Sequence, residues 1–72
     1  MSELGERLVG LLARAVGEVA ARRALEEVTL RLGHDPSGLE RRHALEVLEE
    51  LAQQPGILGT TALFAKSRIY LG

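Results

Sequence analysis

The apolar residues at the start of the chain change sides partway along what reads as one helix. Between positions 4 and 19 the large apolar residues recur at helical spacing and form one broad stripe: Leu4, Leu8, Leu11, Leu12, Val16 and Val19. From position 21 onward the stripe consists of Ala21, Leu25, Val28 and Leu32. At about 100° per residue, this second stripe lies on nearly the opposite side of the helix. A helix with two apolar sides needs two packing partners, and in a chain of 72 residues we expect one of them to be another molecule.

The pattern therefore predicts a long first helix without a break before Gly33. Ser2 is the expected N-cap, and Gly33 can adopt the left-handed conformation that ends a helix. The competing interpretation is a break near Ala20 and Ala21, which would fold both stripes onto one core. The residues around that point are mostly good helix formers, and no proline is present.

A second helix follows a turn rich in turn-forming residues at positions 34–38. It begins from one of two signals: Asp35 caps it with Pro36 at the first helical position, or Ser37 caps it in a capping box with Glu40. Its predicted buried face comprises Ala44, Val47, Leu48 and Leu51. The helix ends before Pro55, and the short turn makes it an antiparallel neighbour of the first helix.

The last segment, residues 57–72, fits two kinds of structure. Leu58, Ala62, Ala65 and Ile69 fall on one helical face, whereas the alternation from Phe64 onward also suits a half-buried strand. A lone strand would need a second copy of the chain to pair with, so we favour a short C-terminal helix. The prediction is a single all-α domain over residues 1–72 that assembles as a helical dimer or a higher oligomer.

The second helix is too short to cover the first stripe of the long helix. We therefore predict that this stripe is an oligomer interface, formed by Leu4, Leu8, Leu11, Leu12, Val16 and Val19. Small residues at three-to-four spacing, Gly10, Ala13 and Gly17, are candidates for close packing of another backbone. Glycine inside a helix costs roughly 0.5–1 kcal/mol relative to alanine and asks for such a reason. The expected partners are a second copy of the chain and, beyond it, a larger protein.

Basic residues offer an alternative function. Arg22, Arg23, Arg41, Arg42, Lys66 and Arg68 could together form a basic surface that binds phosphate or nucleic acid. The formal net charge is −1, however, and both arginine pairs have glutamates at spacings typical of ion pairs on a helix surface. We therefore expect no nucleic-acid partner and keep this function as the alternative.

No catalytic, cofactor or metal signature is present in the sequence. Cysteine is absent, and no serine has a plausible histidine and acid beside it. Glu40 and His43 have a spacing used in carboxylate-bridged metal centres, but the buried stripe of the first helix offers no further ligand. Gly56 and Gly59 lack the Gly-Lys-Ser/Thr continuation of a phosphate-binding loop. We expect no enzyme activity, no cofactor and no bound metal.

Charged residues near the start argue against a secretory signal, and Arg14 and Glu18 interrupt the one candidate membrane span. We therefore expect a cytoplasmic protein without a membrane partner. Lys66 is the one lysine beside many arginines, a bias that fits a thermophile or a high-GC genome. The sequence predicts a small module for protein–protein interaction or oligomerisation and does not define its process.

Overall fold

Gly17 divides the first part of the chain into two helices. In the computed structural model, which describes residues 1–71, α1 spans Glu3–Val16 and α2 spans Glu18–Arg31. Gly17 has φ 87° and ψ 160°, a backbone conformation that is essentially restricted to glycine. Its amide donates to the Ala13 carbonyl at 2.9 Å, and its carbonyl accepts from the Ala21 amide at 3.0 Å. The prediction of one continuous helix is therefore wrong, because Gly17 ends one helix and begins the next.

The break brings both apolar stripes into one core. Leu8 and Leu12 of α1 are fully buried, as are Ala21 and Leu25 of α2, and all four belong to a single cluster of buried residues. The competing interpretation correctly predicts that a break folds both stripes onto one core. It placed the break near Ala20, three residues after Gly17.

The start of α1 and the end of α2 have the caps that the sequence predicts. The Ser2 hydroxyl accepts from the Gly5 amide at 3.1 Å and donates to the Leu39 carbonyl at 3.3 Å. The N-cap of α1 is thereby tied to the segment that connects α2 with the next helix. Gly33, at φ 85°, follows the end of α2 and acts as its stop.

The next helix, α3, spans Arg41–Leu51 and begins later than either predicted signal. Asp35 accepts from the Ser37 amide at 2.9 Å, but it caps a 3₁₀ turn over Pro36–Gly38. Glu40 is the N-cap of α3 and makes no side-chain capping bond, so the predicted capping box with Ser37 does not form. Between turn and helix, Leu39 is extended and buried, and it packs into the core. The predicted buried face of α3 is confirmed, since all four of its residues are buried.

The last helix, α4, spans Ile57–Tyr70, so the helical interpretation of this segment is confirmed. Its buried residues are Gly59, Ala62, Ala65 and Ile69, three of them small. A Cβ on Gly59 would collide with the carbonyl oxygen of Gln54, which explains why glycine is needed there. The small residues let α4 pack against both α1 and α3.

Residues 1–71 thus form an all-helical fold of four α-helices, with overall dimensions of 26 × 26 × 20 Å. α1 packs on α2 and α4, and α3 packs on α4 and α2. Thr29 is a fully buried polar residue, and its hydroxyl donates to the Leu25 carbonyl at 2.6 Å. None of the helices in the described part of the chain combines the length and apolar composition needed to cross a membrane.

Replacement of Gly17 by alanine tests the role of the reversal. We expect Gly17→Ala to lower the free energy of unfolding by about 1–3 kcal/mol, because an L-residue is strained at this φ and ψ. Gly10→Ala is the matched control, since Gly10 lies inside α1 in open space. It should raise the free energy of unfolding by about 0.5–1 kcal/mol. Urea denaturation followed by circular dichroism gives both values, and two changes of the same sign would contradict this account.

Candidate functional site

The predicted oligomer interface lies mostly inside the chain. Leu8 and Leu12 are fully buried, and Leu4, Leu11 and Val16 are partly buried against the core. Val19 is 74% exposed, on the outer side of α2. The predicted seam of six residues therefore does not form one exposed surface, and the continuous helix on which it depended is absent.

The predicted close-packing residues also have other surroundings. Gly10 and Gly17 are exposed, and a Cβ on either would meet no atom within 4 Å. Ala13 is partly buried and packs against the core. No backbone of the described chain approaches the two glycines closely. Glycine is needed at position 17 because the backbone there has a positive φ, which strains other residues.

An open apolar groove runs between α1 and α4. It encloses about 370 Å³. Both helices contribute to its lining: Leu11, Arg14, Ala15, Ile57, Thr61, Phe64, Ala65 and Arg68. Phe64 is 69% exposed and Ile57 is 61% exposed, so two large apolar side chains stand in solvent beside the partly buried Leu11.

The charged residues of this groove are both cationic. Arg14 of α1 and Arg68 of α4 line it, and no aspartate or glutamate does. Both side chains are exposed, and neither forms an ion pair within residues 1–71. The groove therefore combines an apolar floor with positive charge.

The outer side of α2 has a different character. It contains the exposed apolar residues Val19 and Leu30, which are separated by charges of both signs: Glu18, Arg22, Arg23, Glu26 and Glu27. Arg22 is already paired, since its guanidinium donates to both carboxylate oxygens of Glu6 at 2.5 and 2.8 Å. This contact holds the pKa of Glu6 below its ordinary value and joins α1 to α2.

Most of the predicted basic surface is likewise engaged within the fold. Arg22 pairs with Glu6 and Glu18, Arg42 with Glu40, and Lys66 with Glu49 of α3. Arg23 and Arg68 form no ion pair in the described part of the chain. The six cations are divided among three helices, α2, α3 and α4.

Arg41 fastens the start of α3 to the end of α4. Its guanidinium donates to the Ile69 carbonyl at 2.8 Å and lies 4.7 Å from the centre of the Tyr70 ring. The Tyr70 hydroxyl donates back to the Arg41 carbonyl. Burial raises the pKa of Tyr70 above its ordinary value, so the hydroxyl keeps its proton for this bond. The Tyr70 ring and the Tyr70 hydroxyl therefore both hold the end of α4 against the start of α3.

The two histidines stack on each other between the α2–α3 connection and α3. The ring centroids of His34 and His43 are 4.0 Å apart, and His34 Nε2 lies 2.9 Å from Glu46 Oε2. The hydrogen bond from His34 lowers the pKa of Glu46. Residues 1–71 contain no group of three or more potential ligands arranged to hold a metal ion. The stacked rings and the carboxylate fasten the connection to the helix.

Comparison of the chain with protein-family models, with curated proteins and with solved structures finds no match. The fold and its surfaces are therefore the basis for any functional conclusion. Residues 1–71 form a small four-helix fold in which the groove between α1 and α4 combines exposed apolar side chains with two arginines.

The contact between His34 and Glu46 predicts a specific pH dependence. A lowered folded-state pKa means that the contact stabilises the fold above the ordinary glutamate pKa of about 4.3. This stabilisation is lost as the pH falls through the folded-state pKa. We expect wild type to melt at a higher temperature than Glu46→Gln near neutral pH, and the difference to shrink at acid pH. Thermal melts across the acid range measure it.

Glu27→Gln is the control for this experiment, because Glu27 is exposed on α2 and forms no ion pair within the described residues. Its melting temperature should follow that of wild type at every pH. A constant difference between wild type and Glu46→Gln down to the lowest pH would show that the pair is not responsible.

Proposed function

We propose that this chain is a small protein-interaction module whose docking surface is the groove between α1 and α4. The observation that carries the proposal is the exposure of the large apolar side chains of Phe64 and Ile57 in this groove. Contiguous exposed apolar surface with a polar rim is typical of sites that bind other proteins. Aromatic residues supply much of the binding energy of such sites.

The groove is suited to a helical segment of the partner. Leu11 and Ala15 are one turn apart on α1, and Ile57, Thr61 and Phe64 follow each other at helical spacing on α4. Two neighbouring helices with such stripes form a channel into which the apolar face of a third helix can pack. We therefore take a helix of another protein as the occupant.

Self-association through the same groove is disfavoured by charge. In a two-fold dimer, the same patch of both copies meets, so Arg14 and Arg68 of one copy would lie near those of the other. Like charges brought together oppose such an interface. The sequence-based expectation of a dimer remains open to sedimentation analysis, but Leu8 and Leu12 are not available for it while the fold is intact.

Nucleic-acid binding, the alternative from the sequence, has less support. Arg22, Arg42 and Lys66 are paired with glutamates, and Arg41 is held by Ile69 and Tyr70. A cation that already has a carboxylate partner contributes less to phosphate binding, because the ion pair must first be broken.

A library of helical peptides displayed on phage, selected against the chain, tests the docking function. We expect selected peptides to lose about tenfold in affinity or more for Phe64→Ala, because a central aromatic anchor is removed. Leu63→Ala is the matched control, since Leu63 is an exposed neighbour on α4 that does not line the groove. It should bind the peptides as wild type does.

The same experiment can contradict the proposal. Peptides that bind Phe64→Ala and wild type equally would place the docking surface elsewhere. A library that yields no binder would also contradict the proposed docking function. Circular dichroism of both variants confirms that the fold is kept, as expected for residues whose side chains are mainly in solvent.

A further inference from the structure

We infer that the partner segment is an acidic amphipathic helix, and that Arg14 and Arg68 bind carboxylates beside its apolar stripe. This inference rests on the proposed docking function. It adds the chemical class of the partner, which the apolar floor alone does not define. Three observations on charge and shape support it.

The first observation is the segregation of charge along the chain. The sequence has ten acidic residues against nine lysines and arginines, yet no acidic residue occurs at positions 7–17 or 51–72. These two segments contain most of α1 and all of α4, the two helices that form the groove. A chain with a net negative charge therefore has a positive docking surface.

The second observation is the lack of internal partners for the groove arginines. Lys66 faces α3 and pairs with Glu49 at 3.3 Å, and Arg22 pairs with Glu6. Arg14 and Arg68 have no acidic partner within residues 1–71. A guanidinium binds a carboxylate through two parallel hydrogen bonds, so both side chains are available for acidic residues of another molecule.

The third observation is the shape and chemistry of the floor. Ile57 and Arg68 are three turns apart on α4, about 16 Å at 1.5 Å per residue. An occupant of about three turns therefore matches the groove in length.

Nucleic acid fits this groove less well, because proteins that bind single strands without sequence preference use several stacking aromatic residues along a row of cations. Phe64 is the one phenylalanine of the chain, and no other aromatic residue lines the groove.

Three hydrocarbon-stapled peptides of about three turns test the inference. They share one apolar stripe of leucine and isoleucine, and their flanking positions carry glutamate, glutamine or lysine. We expect the glutamate peptide to bind about tenfold more tightly than the glutamine peptide at low salt, and the lysine peptide to bind most weakly. The preference should fall at high salt, because exposed charges are then screened. Fluorescence anisotropy measures all three affinities.

The double variant Arg14→Gln and Arg68→Gln should remove the preference for the glutamate peptide, so that the glutamate and glutamine peptides bind this variant with equal affinity. Arg23→Gln is the matched control, since Arg23 is an exposed arginine on α2, outside the groove. It should keep the full preference. Circular dichroism verifies that each variant is folded.

The outcomes separate this inference from the docking function. Equal affinity for the glutamate and glutamine peptides, with both lost in Phe64→Ala, would overturn the inference and leave the docking function intact. Absence of binding by every stapled peptide and by every library peptide would overturn both. A single-stranded oligonucleotide and an unlabelled acidic peptide are each added as competitors of the glutamate peptide. If the oligonucleotide displaces the glutamate peptide at the concentration at which the acidic peptide does, the inference is overturned in favour of a ligand with a phosphate backbone.

Discussion

The fold depends on the backbone reversal at Gly17. A single residue with φ 87° and ψ 160° lets α2 turn back so that its apolar stripe and that of α1 share one core. Without this reversal the two stripes would lie on opposite sides of one helix, and Leu8 and Leu12 would lack the cover that α2 provides. The backbone conformation of Gly17 therefore decides between a self-contained fold and one that requires a second molecule.

The sequence predicts buried faces better than it predicts where helices begin and end. Periodicity identified all four buried residues of α3 and three of the four predicted in α4, because each of these faces lies within one helix. The fourth, Leu58, is partly buried, and the buried Gly59 was not predicted. Periodicity could not place the break at Gly17. A glycine at this position is consistent either with close packing of another backbone or with a positive φ, and the surrounding residues favour a helix. Periodicity could not place the start of α3 either, because the burial of Leu39 selects the later start, and that burial is a tertiary effect.

The site was harder to predict for a related reason. Large apolar residues at helical spacing suit a core and an interface equally, so Leu8 and Leu12 could be assigned to either. The doubled arginines are adjacent in sequence, whereas the ion pair between Arg22 and Glu6 of α1 depends on the fold. A signal was present nevertheless: the absence of acidic residues from positions 7–17 and 51–72 marks the two helices that form the groove.

The residues on the buried side of α4 differ in size from those on its exposed side. Three of its four buried residues are small, Gly59, Ala62 and Ala65, with Ile69 as the large one. The large Ile57 and Phe64 face solvent. Small buried residues bring the helix backbone close to the core, so the helix stays in place without its largest side chains. Exposed apolar side chains of this size raise the tendency to aggregate unless a partner covers them. Exposed Ile57 and Phe64, beside arginines that form no ion pair within residues 1–71, are the features on which our proposal of a docking surface rests.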